Sequence, residues 1–452
     1  MENKSVDFLI IGNSAAGVTA AEHIRANDKT ASITILSREP YAVYGRPLIS
    51  YLIEGKTTEE RIGFKEPSFY EDNHIEALLG EDFTATSLDA DAHAVTLANG
   101  SVITYGKCLL ATGSVPFVPP IAGLEGKTNV YPFMTLDDAK AAWAATVQAT
   151  EIAHAKARAS RVIVVGAGLI GLKAAEALSH HADSVLVLEL APRILPAVLD
   201  DEGAKTLQNL LASHGITCMP GVSVDEFMCE SDVIASARLT NGEVVECDVV
   251  ITAVGVRPAS ALAVDAGAKQ GRGLVCGTDL QTSLADVYAA GDVVQVTDLL
   301  DGACRPLALW PNALRQGKLA GLHMVGAPDA EPYEGGFAVN AVDFFEASLL
   351  TAGIINPAED SDCEVEIHKT DECYTKFVKR DGFLVGYILL NRPQNGGIYT
   401  SLIEQKIPLD TLEGDLFDMA PLNIDFPQDL RWARLHKCYP ANRDRCGREE
   451  RA

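Results

Sequence analysis

Cysteine is missing from the start of this chain, where none precedes Cys108. None of the ten cysteines forms a C-x-x-C pair or a spacing typical of zinc or iron–sulfur sites, so we expect no metal centre. Cys438 and Cys446 lie close together near the C-terminus and could pair or bind a ligand. We expect most of the other cysteines to be buried free thiols.

Long apolar runs and positive charge are also scarce. No apolar run is long enough to span a membrane, and the N-terminus lacks the features of a signal peptide. The formal net charge of −25 over 452 residues argues against nucleic acid as the main partner, because a phosphate backbone would be repelled. These absences predict a cytoplasmic protein without nucleic-acid partners.

One segment departs from this acidic character. The chain from Arg431 onward forms a basic tail, which also contains Arg434, Lys437, Arg443, Arg445, Arg448 and Arg451. A solvated chain end is one interpretation of this tail. The other is a docking patch for an acidic protein.

A strand–helix–strand pattern occurs twice. "VDFLIIG" (6–12) is an apolar run typical of a buried parallel strand, and a helix and a second strand (32–40) follow it. The same order recurs with strands at 160–168 and 184–196. Two such units predict an α/β protein with two Rossmann-like dinucleotide-binding domains. From residue 327 short strands and an "RDG" turn predict a further, α+β domain.

The first strand ends in Gly12, and Ser14 and Gly17 follow as the second and third positions of a dinucleotide-binding loop. Gly12 permits the tight turn, Ser14 is small enough for a pyrophosphate to approach, and Gly17 permits close packing of helix on strand. The helix N-terminus then presents its positive dipole end to the phosphates. Glu39 is placed to accept hydrogen bonds from ribose hydroxyls.

The second unit carries the full G-x-G-x-x-G pattern in Gly166, Gly168 and Gly171, and Glu189 ends the next strand. A carboxylate there binds a free ribose and repels a 2′-phosphate, which favours NADH over NADPH. Leu169 and Ile170 complete this loop. Because hydride from NADH needs an acceptor, we expect the first site to bind a flavin.

These motifs resemble the pyridine nucleotide-disulfide oxidoreductase superfamily. "GNSAAG", "ATG", "GAGLIG", "AVGVRP" and "YAAGD" occur in that family's order and approximate spacing over residues 6–326. The resemblance implies an FAD domain (1–115 and 248–326) interrupted by an NAD domain (116–247), and a C-terminal interface domain (327–452). The remaining implied cofactor contacts are Ala15, Ala111, Thr112, Gly113, Gly255, Gly291, Asp292, Pro311 and Asn312, the last two opening a helix aimed at the flavin.

Disulfide reductases of that superfamily keep a cysteine near the position of Tyr44. Here "SREPYAVYGRPLIS" instead resembles the rubredoxin reductase, ferredoxin reductase and nitrite reductase branch. The resemblance implies that Arg46 contacts phosphate or flavin and that Pro47 shapes the turn. For Tyr44 it leaves packing near the flavin and a chemical role as alternatives.

Lys173 is a departure from these relatives. They often have Glu at this position, paired with a Lys at the position of Tyr51, so the sequence predicts that this ion pair is absent and its charge reversed. A lysine near the isoalloxazine would stabilise anionic reduced flavin and raise its potential. A helix lysine that only extends its ammonium to water is the alternative.

The predicted activity is therefore FAD-dependent oxidation of NADH, with electrons leaving singly to a rubredoxin- or ferredoxin-type iron–sulfur protein. The alternatives are an NADH oxidase that reduces oxygen, a flavoprotein subunit of a larger redox complex and a disulfide reductase using C-terminal cysteines. "GLIGLKAAEAL" also resembles flavoproteins encoded with carbon monoxide dehydrogenase. Relatives use the C-terminal domain for dimerisation in some branches, so a homodimer is possible.

Overall fold

The computed structural model describes residues 4–370, 373–412, 416–417, 425–426, 428 and 431. Two compact units are present. One comprises the chain up to Ala197 together with Ala204–Phe337, and the other comprises Val198–Gly203 and the chain from Ala338. Among the helices of the described residues, none is both long enough and apolar enough to cross a lipid bilayer.

The elements follow the predicted alternation of strands and helices. Up to residue 131 they are β1 (Lys4–Ile11), α1 (Ala15–Asn27), β2 (Ile33–Ser37), α2 (Ile49–Ile53), α3 (Phe69–Asp72), β3 (Ile75–Leu79), β4 (Ala85–Asp89), β5 (Ala94–Leu97), β6 (Val102–Leu110), β7 (Ser114–Pro116) and β8 (Val130–Tyr131). The next are α4 (Leu136–Ala155), β9 (Arg161–Val165), α5 (Leu169–Ser179), β10 (Ser184–Glu189), α6 (Asp201–Ser213), β11 (Ile216–Pro220), β12 (Val224–Glu230), β13 (Val233–Leu239), β14 (Val244–Glu246), β15 (Val249–Thr252) and β16 (Val256–Pro258).

The remaining elements run to residue 411. They are α7 (Ala261–Asp265), β17 (Val287–Ala289), β18 (Gln295–Thr297), β19 (Cys304–Pro306), α8 (Trp310–Val325), β20 (Val339–Phe344), β21 (Ala347–Gly353), β22 (Cys363–Lys369), β23 (Tyr374–Arg380), β24 (Phe383–Leu390) and α9 (Gly396–Glu404). Short 3-10 helices lie at Arg46–Leu48, Glu81–Phe83 and Leu409–Thr411.

The first large sheet has the strand order β3-β2-β1-β6-β5-β4, and β17 pairs with β6. β1 pairs in parallel with β2 on one side and β6 on the other. Its residues Leu9 and Ile10 are fully buried, as expected of a parallel strand with both faces covered. The loop after β1 therefore lies where the strand order reverses, which is where open α/β sheets bind ligands.

The second sheet repeats this arrangement in the order β11-β10-β9-β15-β8, with every pairing parallel. β9 lies between β10 and β15, so the loop after β9 is again at a reversal of strand order. Helix α4 precedes β9 and begins with a capping box, in which Thr135 accepts from the Asp138 N–H and Asp138 accepts from the Thr135 N–H.

The C-terminal unit contains the antiparallel sheet β20-β21-β24-β23-β22. The predicted "RDG" turn joins β23 to β24, with Asp381 and Gly382 both at positive φ, as a two-residue hairpin turn requires. The fold class, two Rossmann-like sheets with a C-terminal α+β part, is confirmed. Of the basic tail, only Arg431 falls within the described residues; Arg434 and the later basic residues, Cys438 and Cys446 lie outside them.

Two predicted boundaries differ from the structure. β15 pairs with β9, so the second sheet extends past residue 247 to Thr252. Residues 327–337 remain with the first unit, because the Tyr333 N–H donates to the Thr278 carbonyl (2.7 Å) and the Leu299 N–H to the Gly336 carbonyl (2.9 Å). The C-terminal unit accordingly begins at Ala338 rather than at residue 327.

Candidate functional site

The first glycine loop joins β1 to α1 and has tight contacts at two glycines. A Cβ added to Gly12 (φ 127°) would lie 2.0 Å from the Ala111 carbonyl oxygen, and one at Gly17 would lie 1.9 Å from the Gly12 carbonyl oxygen. Both overlaps involve backbone, so only glycine fits. Ser14 is the N-cap residue of α1 and Ala15 its first residue. The N-terminus of α1 therefore lies directly at this loop.

Glu39 lies just beyond the end of β2 and is held by two side chains from the following turn. The Tyr44 hydroxyl donates to one Glu39 oxygen (2.5 Å), and the Arg46 guanidinium pairs with the other. The Leu136 N–H donates to the Tyr44 hydroxyl (3.0 Å). Burial, followed by the charge of Glu39, raises the pKa of Tyr44 although Arg46 opposes the shift, so this hydroxyl stays protonated. These contacts indicate that Tyr44 organises the turn; a chemical role for it stays a prediction.

The charge of Arg46 also acts on Asp292, which follows β17 together with Gly291. Burial raises the pKa of Asp292, while the Ser114 hydroxyl, which donates to its carboxylate (2.9 Å), and the charge of Arg46 oppose this shift. The Gly291 N–H donates to the Gln316 side-chain oxygen (2.6 Å). Pro47 lies within the 3-10 turn that Arg46 opens. Elements distant in sequence therefore converge on one edge of the first sheet.

Helix α8 is pressed against α1. A Cβ on Gly317 would lie 2.3 Å from the Ala16 carbonyl oxygen, and one on Gly321 would lie 2.6 Å from that of Ala20. Pro311 lies in the first turn of α8, as expected of a proline at a helix start. Asn312 donates to the Leu307 carbonyl (3.1 Å) and accepts from the Tyr333 hydroxyl (2.6 Å), so its amide braces the start of the helix.

The second glycine loop repeats the first geometry after β9. A Cβ at Gly166 (φ 105°) would lie 2.4 Å from the Ala253 carbonyl oxygen, and one at Gly171 2.0 Å from the Gly166 carbonyl oxygen. At Gly168 a Cβ would meet no atom of the described residues within 4 Å. Leu169 and Ile170 form the first turn of α5. Open space at Gly168 is where a pyrophosphate would approach the backbone.

Glu189 ends β10 and turns back to this loop. One carboxylate oxygen accepts from the Ala167 N–H (2.8 Å) and the other from the Ala191 N–H (2.8 Å). The Leu195 N–H donates to the Ala167 carbonyl (2.9 Å) and joins the next segment to the same loop. Glu189 thus holds a negative charge beside the second glycine loop.

Two short strands, β7 and β16, connect the regions of the two sheets and pair with each other. The Ala259 N–H donates to the Gly113 carbonyl (2.9 Å), and the Thr112 hydroxyl donates to the Ala259 carbonyl (2.8 Å). At Gly113 and Gly255, both at positive φ, an added Cβ would meet no described atom within 4 Å. Their backbone therefore faces space that a cofactor can fill.

Lys173 forms no ion pair with position 51, as the sequence predicts, but it pairs with carboxylates from elsewhere in the chain. Its ammonium lies 2.5 Å from a Glu176 oxygen and 3.2 Å from a Glu54 oxygen, and 4.5 Å from the centre of the Tyr51 ring. Lys56 also contacts both carboxylates, at 2.6 Å from Glu54 and 3.6 Å from Glu176. The family's ion pair between these two positions is thus absent, and Glu54 and Glu176 pair with Lys173 instead. We call Glu54, Lys56, Lys173 and Glu176 the charge quartet.

Several residues that complete the site carry no sequence signal. Asn13 donates to the Tyr41 carbonyl (3.1 Å) and accepts from the Tyr70 hydroxyl (2.7 Å) beside the first loop. Ser114, Gln316 and the two carboxylates of the charge quartet are further examples. Gly317 and Gly321 could have been found, since their spacing of four places them on one face of α8.

The residues present fit two dinucleotides. Each sheet presents a glycine loop and a helix N-terminus at a reversal of strand order, with backbone facing open space beside it. Arg46 supplies a cation to the first site and Glu189 an anion to the second. A fold with two such sites in one chain defines a flavoprotein reductase that also binds a pyridine nucleotide.

The chain belongs to the pyridine nucleotide-disulphide oxidoreductase family, whose model matches residues 6–317. Members of this family depend on FAD and NAD(P)H, and the chain is an NAD(P)H-dependent flavoprotein oxidoreductase. The predicted family is thus confirmed. Each of the site residues assigned above remains a prediction as a cofactor contact.

Three similar proteins illustrate the range of this family. The chain is 30% identical to a nitrite reductase [NAD(P)H] of Bacillus subtilis strain 168, over 92% of this chain but only 48% of that protein, so it spans about half of that relative. It is 28% identical to the epsilon subunit of the NADH-dependent phenylglyoxylate dehydrogenase of Aromatoleum evansii, over 90% and 93% of the two chains. The ferredoxin reductase for the CYP199A2 system of Rhodopseudomonas palustris has a similar structure, with a TM-score of 0.77, 25% identity, and 90% and 95% coverage.

Proposed function

We propose that this protein is a cytoplasmic NADH-dependent reductase that passes electrons from FAD to a small iron–sulfur protein of the rubredoxin or ferredoxin type. The observation that carries the proposal is the turn after β2. Tyr44 and Arg46 occupy it and bond to Glu39, at the place where a disulfide reductase would have a thiol. Electrons that cannot pass to a thiol here must leave the flavin by another route.

The first cysteine of the chain cannot replace that thiol. Cys108 lies in β6 and is fully buried, and burial raises its pKa, so it stays protonated and inert. The eight cysteines of the described residues are free thiols. When bound, FAD accepts two electrons as hydride and can release them one at a time, which suits a one-electron iron–sulfur carrier.

Specificity for NADH follows in this proposal from Glu189. Its carboxylate accepts two backbone N–H groups and keeps a negative charge at the end of β10. A ribose with free hydroxyls can donate to that carboxylate, whereas a 2′-phosphate would be repelled. The ferredoxin reductase with a similar structure supports the choice of an iron–sulfur acceptor.

The test is an anaerobic stopped-flow experiment. The protein is reduced with one equivalent of NADH and mixed separately with oxidised rubredoxin, oxidised ferredoxin and oxygenated buffer, and flavin reoxidation is followed by absorbance. We expect fast reoxidation by an iron–sulfur protein and slow reoxidation by oxygen. Fast reaction with oxygen and none with either carrier would overturn the proposal in favour of an oxidase.

A second candidate is a flavoprotein subunit of a larger redox complex. The observation that favours it is the similarity to the epsilon subunit of phenylglyoxylate dehydrogenase over nearly the whole of both chains. Reduction of the flavin by NADH without reoxidation by carriers or oxygen is the result expected of such a subunit. Affinity purification of the full chain from its native cells would then recover stoichiometric partner subunits.

A further inference from the structure

The charge quartet forms an alternating arrangement of two lysines and two glutamates. Glu54 directs one oxygen to Lys173 (3.2 Å) and the other to Lys56 (2.6 Å). Glu176 likewise directs one oxygen to Lys173 (2.5 Å) and the other to Lys56 (3.6 Å). Both ammonium groups also lie over the Tyr51 ring, at 4.5 and 5.5 Å from its centre. Within the quartet the formal charges cancel.

The two glutamates of the quartet are buried, whereas one of its lysines is exposed. The Glu54 and Glu176 side chains are 0% exposed and Lys173 is 11% exposed, whereas Lys56 is 46% exposed. Although partial burial opposes it, the nearby negative charges of Glu54 and Glu176 raise the pKa of Lys56, so that lysine stays charged. A buried carboxylate is costly unless it is paired, so loss of either lysine would leave an uncompensated charge in the interior.

The quartet joins the segments that follow the two glycine loops. Glu54 and Lys56 come after α2, which continues directly from the Arg46–Leu48 turn of the first site. Lys173 and Glu176 lie on α5, which begins at the second glycine loop. His181, just beyond α5, bonds to the Ile53 carbonyl (3.0 Å) at the end of α2 and strengthens the same junction.

We propose that the charge quartet is a positioning device that holds the two dinucleotide sites in register for hydride transfer. Its balance of charge, rather than the single charge of Lys173, is the property that the reaction requires. Two carboxylates within 3.2 Å of the Lys173 ammonium offset its field at any distant atom. Lys173 is accordingly a positioning residue, acting on the reaction through α2 and α5.

The proposal rests on NADH reducing the flavin, which is part of the proposed function, but it does not depend on the electron acceptor. Its test therefore uses only the reductive half-reaction. If reduction by NADH is normal but no carrier is reduced, the proposed acceptor is wrong and the quartet is unaffected. If only the quartet variants slow reduction, the quartet is supported whatever the acceptor.

The test compares unbalanced and balanced variants of the FAD-loaded protein. Lys173→Met leaves one excess negative charge and Glu54→Gln one excess positive charge. The double variant Lys173→Met/Glu54→Gln is balanced and keeps the Lys56–Glu176 pair, and Lys173→Arg keeps the charge. Lys379→Met, which removes a partner of Glu366 in the C-terminal unit, is the control. FAD content, flavin midpoint potential, and the limiting rate and NADH dependence of anaerobic flavin reduction are measured for each.

We expect each unbalanced variant to lower the limiting rate of reduction about tenfold or more, since small displacements of reacting groups have effects of this size. The double variant and Lys173→Arg should stay within about threefold of the parent, with an unchanged midpoint potential. Should an unbalanced variant lose FAD or fail to fold, the balanced double variant decides. Normal reduction by it supports the proposal, and slow reduction overturns it.

A different pattern identifies Lys173 as an independent cation acting on the flavin. In that case the midpoint potential would fall equally in Lys173→Met and in the double variant, and would be unchanged in Glu54→Gln. That result overturns the proposal, as does a normal reduction rate in both unbalanced variants.

Discussion

The two glycine loops are built alike around their first and third glycines but differ at the middle position and at the carboxylate. Gly12 and Gly166 each approach a carbonyl of the neighbouring returning strand, and Gly17 and Gly171 each approach the loop's own first glycine. Ser14 stands in the first loop where the second has Gly168. Glu39 is paired with a guanidinium, whereas Glu189 accepts backbone N–H groups.

This difference separates what the fold requires from what the ligand requires. A Cβ added to any of the first and third glycines would lie 2.4 Å or less from a backbone oxygen, so the identity of these residues is set by packing of strand, loop and helix in both sites. The middle position and the carboxylate are the positions predicted to contact the cofactor. Arg46 neutralises the acid of the first site, which suits a site that must also accept phosphates. The acid of the second site bonds to backbone N–H groups, and in our proposal it discriminates between nucleotides.

The largest expected effect comes from substituting a glycine at the first or third position of a loop, where packing requires glycine. Gly12→Ala places a Cβ 2.0 Å from a backbone oxygen at a residue with positive φ, which should cost roughly 3 kcal/mol or more. We expect a large loss of soluble, FAD-containing protein and a lower Tm. Gly168→Ala is the matched control, because its Cβ enters open space; it should fold normally and weaken only NADH binding. Equal destabilisation of both variants would contradict the comparison.

The carboxylate of the second site should control the choice of nucleotide. Glu189→Ala removes the charge that disfavours a 2′-phosphate, so the ratio of kcat/KM for NADPH to that for NADH should rise by about tenfold, or ~1.4 kcal/mol. The measurement is steady-state reduction of an artificial acceptor with each nucleotide. Glu151→Ala, an exposed acid on α4, controls for net charge. An unchanged ratio in Glu189→Ala would show that another group sets the preference.

A third prediction concerns Asp292, the second acidic residue of the first site after Glu39. Because burial raises the pKa of Asp292 in the folded protein, its ionisation destabilises the fold increasingly as pH rises through that pKa. Asp292→Asn removes this cost, so the variant apoprotein should have a higher Tm than the parent at neutral pH. The difference should disappear in acid, where the carboxyl is protonated in both folded and unfolded states. A Tm difference independent of pH would argue against this origin.

The smallest effect is expected at the middle position of the first loop. Ser14→Gly converts that loop to the pattern of the second and removes only a small side chain, so FAD affinity should stay within about threefold, or ~0.7 kcal/mol. Affinity is measured by titrating apoprotein with FAD. Ser14→Val, which adds bulk at the same place, should lose far more. Weak binding in both variants would show that the hydroxyl itself is required.

Predictions from the sequence succeeded where a local pattern implies a local structure. β1, β2, β9 and β10 lie where apolar runs predict them, and α8 begins beside Pro311 as its start signals predict. They did not reveal the partners of Lys173, which are Glu54, on the segment after α2, and Glu176, a buried glutamate that helix periodicity does not distinguish from an exposed one. The predicted domain boundaries at residues 247 and 327 also differ from the structure. At both places the chain pairs with strands or loops that are distant in sequence.

By itself, the sequence determined the number of dinucleotide sites, because glycines at loop positions and apolar strands act over a few residues. It likewise determined that no cysteine precedes Cys108, so the turn after β2 carries no thiol of its own. Only the tertiary structure decided which charges meet. Glu39 turns to Arg46, Glu189 turns to its own loop, and Lys173 joins three residues to form the charge quartet. The reason is physical: a charge buried on folding must find its partner in space, and distance along the chain does not restrict that choice.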